Sequence, residues 1–201
     1  MALKIGVLAS GRGSNLQSLL DAISAGTLDA EIVLVISDKQ NAMALDRAAA
    51  QGVPAVHLNP KDFNDRKSYD LAIAELFKER GATAIVLAGY MRIISRPFLE
   101  SFPERVINIH PALLPAFPGL HSQKQALEYG VRYSGCTVHF VDEGMDTGPI
   151  IVQAVVPVEK DDTEETLAAR ILQEEHRILP EALQLLAQGR LRVEGRKVQI
   201  L

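Results

Sequence analysis

An amide and an imidazole stand two residues apart at the end of an apolar segment. In an extended chain, Asn108 and His110 point to one side, while Ile109 between them points to the other. Pro111 restricts His110 to an extended backbone and helps to fix the direction of its ring. An amide and a protonated imidazole can both donate hydrogen bonds to the oxyanion that forms when a nucleophile attacks a carbonyl. The pair therefore predicts acyl-group transfer.

A carboxylate is needed to keep such a histidine protonated. Asp146, in the turn at 142–148, is the best candidate because a nearby negative charge favours the imidazolium form, whereas burial alone disfavours it. Each of these residues, taken singly, also has a purely structural interpretation. Asn108 could be a turn amide, His110 a histidine at the end of a strand, and Asp146 a hairpin residue. No serine or cysteine has the nucleophile-elbow context of a covalent acyl intermediate.

A glycine-rich turn, SGRGSN at residues 10–15, separates the first predicted strand from the first predicted helix. Its backbone N–H groups and the helix dipole favour a bound phosphate, and Ser14 or Asn15 is the predicted N-cap. The spacing imitates a dinucleotide fingerprint, but bulky Leu16 stands where a third glycine is needed. Asp38, at the end of the second strand, keeps nicotinamide dinucleotide binding open, and a turn that binds nothing is another alternative. We favour a monophosphate.

The histidines and the single cysteine do not predict a metal site. Cys136 and His139 are three residues apart, and His110 and His121 flank a proline-rich loop. None of these pairs has the helical spacing of zincin ligands. We therefore expect no metal.

The segments that must position these residues alternate between strands and helices. Nearly continuous apolar runs at 5–9, 32–36 and 84–88 are typical of parallel strands buried on both faces. Apolar residues at helical spacing predict helices around 16–23 and 71–77. Three further strands are predicted at 106–110, 133–141 and 150–156.

A long C-terminal helix is predicted at 163–186. Asp162 or Thr163 is its expected N-cap, and Gly189 closes it. Pro180 is expected to kink or interrupt it. The predicted fold class is therefore α/β, a single domain with an open, mostly parallel, twisted sheet and helices on both faces, in a Rossmann-like arrangement.

Composition narrows the function classes. The chain has 201 residues, of which 47% are hydrophobic and 23% charged, as in ordinary globular domains. Its net charge of −4 argues against duplex DNA, whose binding depends on phosphate neutralisation. One cysteine allows no internal disulfide, so a reducing cytoplasm is the expected location. We find no export signal and no apolar run long enough to span a membrane.

Three segments together resemble the formyltransferase family that uses 10-formyltetrahydrofolate. They are NIHPALLP at 108–115, FPGLH at 117–121 and DEGMDTG at 142–148. The segments SGRGSNLQ at 10–17 and GYMRI at 89–93 are similar to the branch of that family that acts on glycinamide ribonucleotide. The resemblance extends from the first predicted strand to the C-terminal helix.

The resemblance implies the transfer of a formyl group from 10-formyltetrahydrofolate, as co-substrate, to the amine of glycinamide ribonucleotide in de novo purine biosynthesis. The amine would attack the formyl carbon directly, without a covalent enzyme intermediate. Asn108, His110 and Asp146 would be the catalytic residues. The half of the domain at about 1–100 would hold the nucleotide phosphate, and the half at about 101–201 would provide catalysis and folate binding.

The resemblance also implies the binding residues. Those for the ribonucleotide are Gly13, Ser14 and Asn15 at the phosphate and Glu175 at the ribose hydroxyls. Those for the folate are Arg66, Met91, Arg92, Ile93, Ile94, Asn108, Asp142, Glu143, Gly144, Met145 and Asp146. Without the resemblance, Arg66 belongs to a solvated helix face and Glu175 to an exposed one, while Arg12 receives no specific role in either case.

Other functions share parts of this pattern. A formyltetrahydrofolate hydrolase has the same core but would carry a further domain before it, and a methionyl-tRNA formyltransferase would add an RNA-binding domain after it. A non-catalytic nucleotide-binding module would keep the phosphate turn, and a nicotinamide-dependent oxidoreductase is a third alternative. We expect two small-molecule substrates, no nucleic acid, no membrane, and a monomer or homodimer.

Overall fold

The computed structural model describes residues 2–201, and the chain forms two compact units. The first ends at Asn108, and the second comprises Ile109–Leu201. The strands are β1 (Leu3–Leu8), β2 (Ala30–Ser37), β3 (Ala55–His57), β4 (Ala84–Leu87), β5 (Val106–His110), β6 (Tyr133–Phe140), β7 (Ile150–Pro157), β8 (Leu191–Glu194) and β9 (Lys197–Ile200). The helices are α1 (Ser14–Ser24), α2 (Met43–Ala50), α3 (Arg66–Glu79), α4 (Arg96–Ser101), α5 (Ser122–Tyr129) and α6 (Glu164–Ala187), with a 3₁₀ turn at Pro60–Asp62.

Parallel pairing dominates the first unit. β1 pairs in parallel with both β2 and β4, β2 with β3, and β4 with β5. Every residue of β4 is buried, as expected for a strand without a solvent face. α1 buries Leu16, Leu19 and Leu20, which recur at helical spacing, and α3 begins with a capping box between Asp65 and Ser68.

The second unit contains both pairing directions. β6 and β7 are antiparallel, β7 and β9 are parallel, and β8 and β9 form an antiparallel hairpin. α6 begins with a capping box between Thr163 and Thr166, so of the two predicted N-caps Thr163 is the one used. Gly189 follows the helix with a φ of 66°, in agreement with its predicted role.

Across the described residues, hydrogen-bonded strands follow the order β3-β2-β1-β4-β5-β6-β7-β9-β8 in one sheet. This confirms the predicted fold class, an α/β protein with an open, mostly parallel sheet. The prediction of a single domain stays a prediction. No helix within residues 2–201 is long and apolar enough to cross a membrane.

Two local predictions are wrong. The predicted interruption at Pro180 is wrong, because α6 is helical throughout Glu164–Ala187, while the alternative of a kink stays a prediction. The proline removes one backbone hydrogen bond, and the buried Leu179 and Leu183 on either side hold the helix in place through packing. Neither Ser14 nor Asn15 is the N-cap of α1, because that position belongs to Gly13.

Candidate active site

The glycine turn requires glycine at position 13. Gly13 has a φ of 70°, and a Cβ atom there would lie 2.7 Å from the Cα of Ala44 at the start of α2. Among the described residues, no side chain caps the N-terminus of α1. The N-terminus of a helix, with its positive dipole end and outward N–H groups, favours an anion. This is where the structure places Gly13, Ser14 and Asn15.

Two contacts hold this turn in position. Ser10 donates its backbone N–H to the Gly89 carbonyl at 3.1 Å, and its Oγ accepts the N–H of Met91 at 3.0 Å. On the other side, Arg47 donates from Nε to the Arg12 carbonyl at 2.8 Å. Arg47 brings a positive charge to the turn from α2 and was not predicted as a site residue. Because Arg47 and Arg12 are 35 residues apart in the chain, no local sequence pattern predicts their contact.

Residues 91–94 combine apolar exposure with a fixed charge. Met91 is 64% exposed and Ile93 is also exposed, whereas Ile94 is buried. The guanidinium of Arg92 lies 5.3 Å from the ring centroid of Tyr69. The exposed side chains of Met91 and Ile93 form an apolar surface that suits a flat ring, and the bond from the Met91 N–H to Ser10 holds this segment beside the glycine turn.

A buried carboxyl group lies behind this segment. Asp70 on α3 accepts the backbone N–H of Ser95 at 2.7 Å. Burial raises the pKa of Asp70, while the hydrogen bonds from Ser95 and the charges of Arg66 and Arg92 oppose that rise. Arg66 is therefore close enough to Asp70 to act on it electrostatically, and its side chain is exposed.

The second unit holds a buried histidine between two oxygen atoms. His110, at the end of β5, is 5% exposed. Its Nε2 donates to the Phe117 carbonyl oxygen at 2.9 Å, and its Nδ1 lies 3.4 Å from Oδ2 of Asp146. The structure therefore brings His110 and Asp146 together. Asn108 is half-buried, two residues before His110 on the same strand.

An uncommon backbone conformation and contacts with two neighbouring residues fix the position of Asp146. Its backbone φ is 55°, a left-handed conformation that is uncommon for a residue other than glycine. Gly119 donates its N–H to Oδ2 at 2.8 Å, and Nε2 of His139 lies 3.8 Å from Oδ1. His139 donates from Nδ1 to the Phe140 carbonyl, and its burial lowers its pKa. The sequence analysis grouped His139 with Cys136 and missed this contact.

Both ring nitrogens of His110 face oxygen atoms. A carbonyl oxygen can only accept, so the Nε2 atom that faces Phe117 carries hydrogen. An unprotonated Nδ1 would turn a lone pair toward a carboxylate, whereas a protonated one forms an ion pair with it. The Phe117 carbonyl already accepts the hydrogen bond from Nε2–H of His110, the donor that an oxyanion would need. The arrangement can therefore bind a negatively charged oxygen once the Phe117 carbonyl is displaced.

The turn at 142–148 is organised by its own side chains. Oδ1 of Asp142 accepts the N–H of Gly144 at 3.1 Å and the hydroxyl of Thr147 at 2.6 Å. Met145 is exposed at the tip. Arg196, in the turn of the β8–β9 hairpin, donates from Nη2 to the Thr147 carbonyl at 3.1 Å. The sequence analysis did not anticipate the hairpin or this arginine.

Glu175 is 7% exposed and is therefore not the exposed helical acid that its sequence position suggests. It lies on α6 near Cys136 of β6. Burial raises the pKa of the Cys136 thiol to about 12, with a further contribution from the charge of Glu175.

The proposed residues divide between the two units. Those in the first unit are Gly13, Ser14, Asn15, Arg66, Met91, Arg92, Ile93, Ile94 and Asn108. Those in the second unit are His110, Asp142, Glu143, Gly144, Met145, Asp146 and Glu175. Within residues 2–201, no group of three or more His, Cys, Asp or Glu side chains could hold a metal ion.

An open, mostly parallel α/β sheet with a glycine turn after β1 and a buried His–Asp pair at the end of β5 defines an α/β group-transfer enzyme. The family model described as "Formyl transferase" matches residues 3–183. The chain belongs to the formyl transferase family.

Named relatives agree with this assignment. Phosphoribosylglycinamide formyltransferase of Bacillus subtilis (strain 168) is 40% identical over 183 residues, which are 91% of this chain and 94% of the relative. The crystal structure of glycinamide ribonucleotide transformylase 1 from Symbiobacterium toebii has a TM-score of 0.99 and 53% identity, and the match covers 100% of this chain and 94% of that one.

A third relative is much longer. Trifunctional purine biosynthetic protein adenosine-3 of Drosophila pseudoobscura pseudoobscura is 56% identical over 191 residues. The match covers 94% of this chain but only 14% of the relative, so the chain spans about one seventh of that protein.

Proposed function

We propose that this formyl transferase moves the formyl group of 10-formyltetrahydrofolate to the amine of glycinamide ribonucleotide in de novo purine biosynthesis. The products are formylglycinamide ribonucleotide and tetrahydrofolate. The contact between His110 and Asp146, with Nδ1 3.4 Å from Oδ2, carries the proposal, because formyl transfer needs a donor for a developing oxyanion. The names of the B. subtilis and S. toebii relatives indicate the ribonucleotide substrate.

The ribonucleotide is assigned to the glycine turn. Gly13, Ser14 and Asn15 would hold the phosphate at the N-terminus of α1, and Arg47 adds a positive charge beside it. Glu175, which is 7% exposed on α6, would accept hydrogen bonds from the ribose hydroxyls.

The folate is assigned to the exposed apolar side chains of Met91 and Ile93 and to the turn at 142–146. Arg92 and Ile94 complete the first segment. The hydrogen bonds that Asp142 accepts from Gly144 and Thr147 hold the conformation of the turn. Arg66 is assigned to the negatively charged tail of the folate, because its guanidinium is exposed on α3.

Catalysis would proceed by direct amine attack. The amine lone pair forms a bond to the formyl carbon, and the carbonyl π electrons move to oxygen. In this step the Nε2–H of His110 leaves the Phe117 carbonyl and donates to the oxyanion, together with the Asn108 amide. Oδ2 of Asp146 faces Nδ1 of the ring and would hold it in place during this step. The bond from carbon to N10 then breaks, and N10 takes the proton that the amine releases.

Nothing in this sequence of steps needs an enzyme nucleophile. Cys136, the single cysteine, is buried, and its raised pKa keeps it a thiol at neutral pH. The cytoplasmic location and the monomeric or homodimeric state stay predictions.

The test follows tetrahydrofolate formation from 10-formyltetrahydrofolate with and without glycinamide ribonucleotide. The proposal predicts turnover that depends on the amine. Deformylation at the same rate without the amine would instead indicate a formyltetrahydrofolate hydrolase. Nucleotide binding without turnover would indicate a non-catalytic module.

A further inference from the structure

Arg47 of α2 joins the two sides of the glycine turn. Its Nε donates to the Arg12 carbonyl at 2.8 Å, and its Nη1 donates to Oε1 of Gln17 at 3.1 Å. The segment between these two contacts, 13–15, is the one assigned to the ribonucleotide phosphate. Because a guanidinium is a rigid planar fork of N–H groups, one half-buried side chain holds both ends of this segment.

A second residue of α2 bonds to the same turn. Ala44 donates its backbone N–H to the Gly11 carbonyl at 3.1 Å, and its Cα would lie 2.7 Å from a Cβ on Gly13. The carbonyls of two consecutive residues, Gly11 and Arg12, therefore both face α2. In a planar trans peptide, the C=O and N–H bonds point in opposite directions. The two bonds from α2 thus aim the N–H groups of Arg12 and Gly13 away from that helix.

The direction of these peptides matters because carbonyl and N–H groups have opposite effects on an anion. A phosphate accepts hydrogen bonds from N–H groups, whereas a carbonyl oxygen turned toward it would repel it. Glycine permits many backbone conformations, so a glycine-rich turn keeps one of them only if other residues hold it. Arg47 holds the carbonyl side of the turn, and Gln17, which also donates to Oδ1 of Asp21 at 2.9 Å, fixes the helix side.

We propose that Arg47 is a positioning residue that makes the glycine turn selective for a phosphorylated substrate over the same substrate without its phosphate. It acts through the hydrogen bonds to Arg12 and Gln17, and not through its charge alone. This inference rests on the assignment of the ribonucleotide phosphate to the turn under the proposed function, but it does not require formyl transfer.

The test compares glycinamide ribonucleotide with the corresponding nucleoside, which lacks the phosphate. Isothermal titration calorimetry without folate measures the Kd of each ligand. Arg47→Lys keeps the positive charge but loses the planar fork that reaches two acceptors together. Its Kd for the nucleotide should rise about tenfold, as for the loss of one hydrogen bond, while its Kd for the nucleoside should stay the same. Gln17→Leu removes only the second contact and should give a smaller rise, again for the nucleotide alone.

Arg12→Ala is the matched control. It removes an exposed positive charge from the same turn but keeps the backbone carbonyl that Arg47 contacts, so the Kd for the nucleotide should stay near the wild-type value. A loss of affinity in this control as large as in Arg47→Lys would overturn the inference.

Three other results would also overturn it. They are a wild-type Kd for the nucleotide in Arg47→Lys, equal losses for nucleotide and nucleoside in that variant, or equal affinity of the wild-type protein for the two ligands. The second would show a general loosening of the fold, and the third would show that the turn holds no phosphate. A protein with the selective loss but without formyl transfer would confirm this inference and contradict the proposed function.

Discussion

At the scale of single residues, His110 depends on two strained neighbours. Phe117 and Asp146, which face its two ring nitrogens, have φ angles of 53° and 55°. Left-handed backbone at residues other than glycine costs about 1–3 kcal/mol each and persists only where the surroundings hold it. These two backbone conformations lower the stability of the fold. They orient one carbonyl and one carboxylate around the proposed oxyanion donor.

Replacement of His110 tests its proposed role. His110→Asn should lower kcat/KM for formyl transfer by about 10²- to 10⁴-fold, because the charged donor and its ion pair are lost. His121→Asn is the matched control. It changes an exposed histidine of the same loop at a left-handed position that asparagine tolerates, and kcat/KM should stay near the wild-type value. Equal losses in the two variants would contradict the assignment.

His139 makes stability depend on pH. Burial lowers its pKa in the folded chain below the usual value of 6.5, so the unfolded chain binds the proton more readily. The free energy of unfolding should therefore fall as pH drops from 7.5 to 5.5. Urea titrations at the two pH values should show a smaller fall in His139→Asn than in the wild type or in the control His57→Asn. A fall of the same size in all three proteins would contradict this explanation.

At the scale of elements, the C-terminal hairpin supports the turn proposed to contact folate. Arg196 reaches the Thr147 carbonyl from the β8–β9 turn, 49 residues further along the chain. The hairpin lies beyond the residues that the family model matches. Its contribution is a positioning contact, because the arginine donates to the turn backbone.

Removal of this contact should affect folate binding more than the chemical step. Arg196→Ala is expected to raise KM for 10-formyltetrahydrofolate about two- to tenfold, the range that one hydrogen bond supplies, with kcat nearly unchanged. Arg192→Ala, an exposed change on β8, is the matched control and should leave both constants unchanged. An unchanged KM in Arg196→Ala, measured by steady-state kinetics, would refute the positioning role.

Asp70 connects α3 to the start of α4. Asp70→Ala leaves the buried Ser95 N–H without its acceptor, so the free energy of unfolding should fall by about 1–3 kcal/mol. Asp70→Asn keeps an acceptor oxygen and removes a carboxylate whose pKa is raised by burial. Urea unfolding at pH 7 should therefore find this variant at least as stable as the wild type. A loss as large as that of the alanine variant would show that the charge itself stabilises the fold.

At the scale of the whole molecule, a ligand that binds only the folded chain should stabilise it. Glycinamide ribonucleotide at about 100 times its Kd should add about 2.7 kcal/mol to the free energy of unfolding, whereas NADH should add nothing. Gly13→Ala should abolish the gain because its Cβ would press on Ala44. Gly26→Ala has a similar φ of 72° but no close neighbour, so it should keep the gain. Stabilisation by NADH in thermal melts would favour the oxidoreductase alternative.

Much of the fold followed from apolar patterns. β5 has the predicted bounds, because Val106, Ile107 and Ile109 are apolar and buried and Pro111 ends the strand. α6 was predicted to within a residue from its cap and its leucines. Pro180 was misjudged because packing on both sides of it outweighs a local rule.

Contacts between segments that are distant in the chain could not be predicted from the sequence. The acceptor on His110 is a backbone carbonyl, which every residue type has, so Phe117 carried no signal. Arg47 and Arg196 look like ordinary surface charges until the chain folds. The burial of Glu175 likewise depends on what α6 packs against, while its position alone suggested exposure.

The most direct test of direct formyl transfer follows the formyl carbon itself. The wild-type protein is mixed in excess with glycinamide ribonucleotide and 10-formyltetrahydrofolate labelled with ¹³C in the formyl group, and nucleotide, formate and protein are analysed by mass spectrometry. We predict that the label appears on the amine of the ribonucleotide at the rate at which tetrahydrofolate forms, and that His110→Asn slows both equally. Label that reaches formate or the protein before the nucleotide would contradict direct attack of the amine at the His110–Asp146 pair.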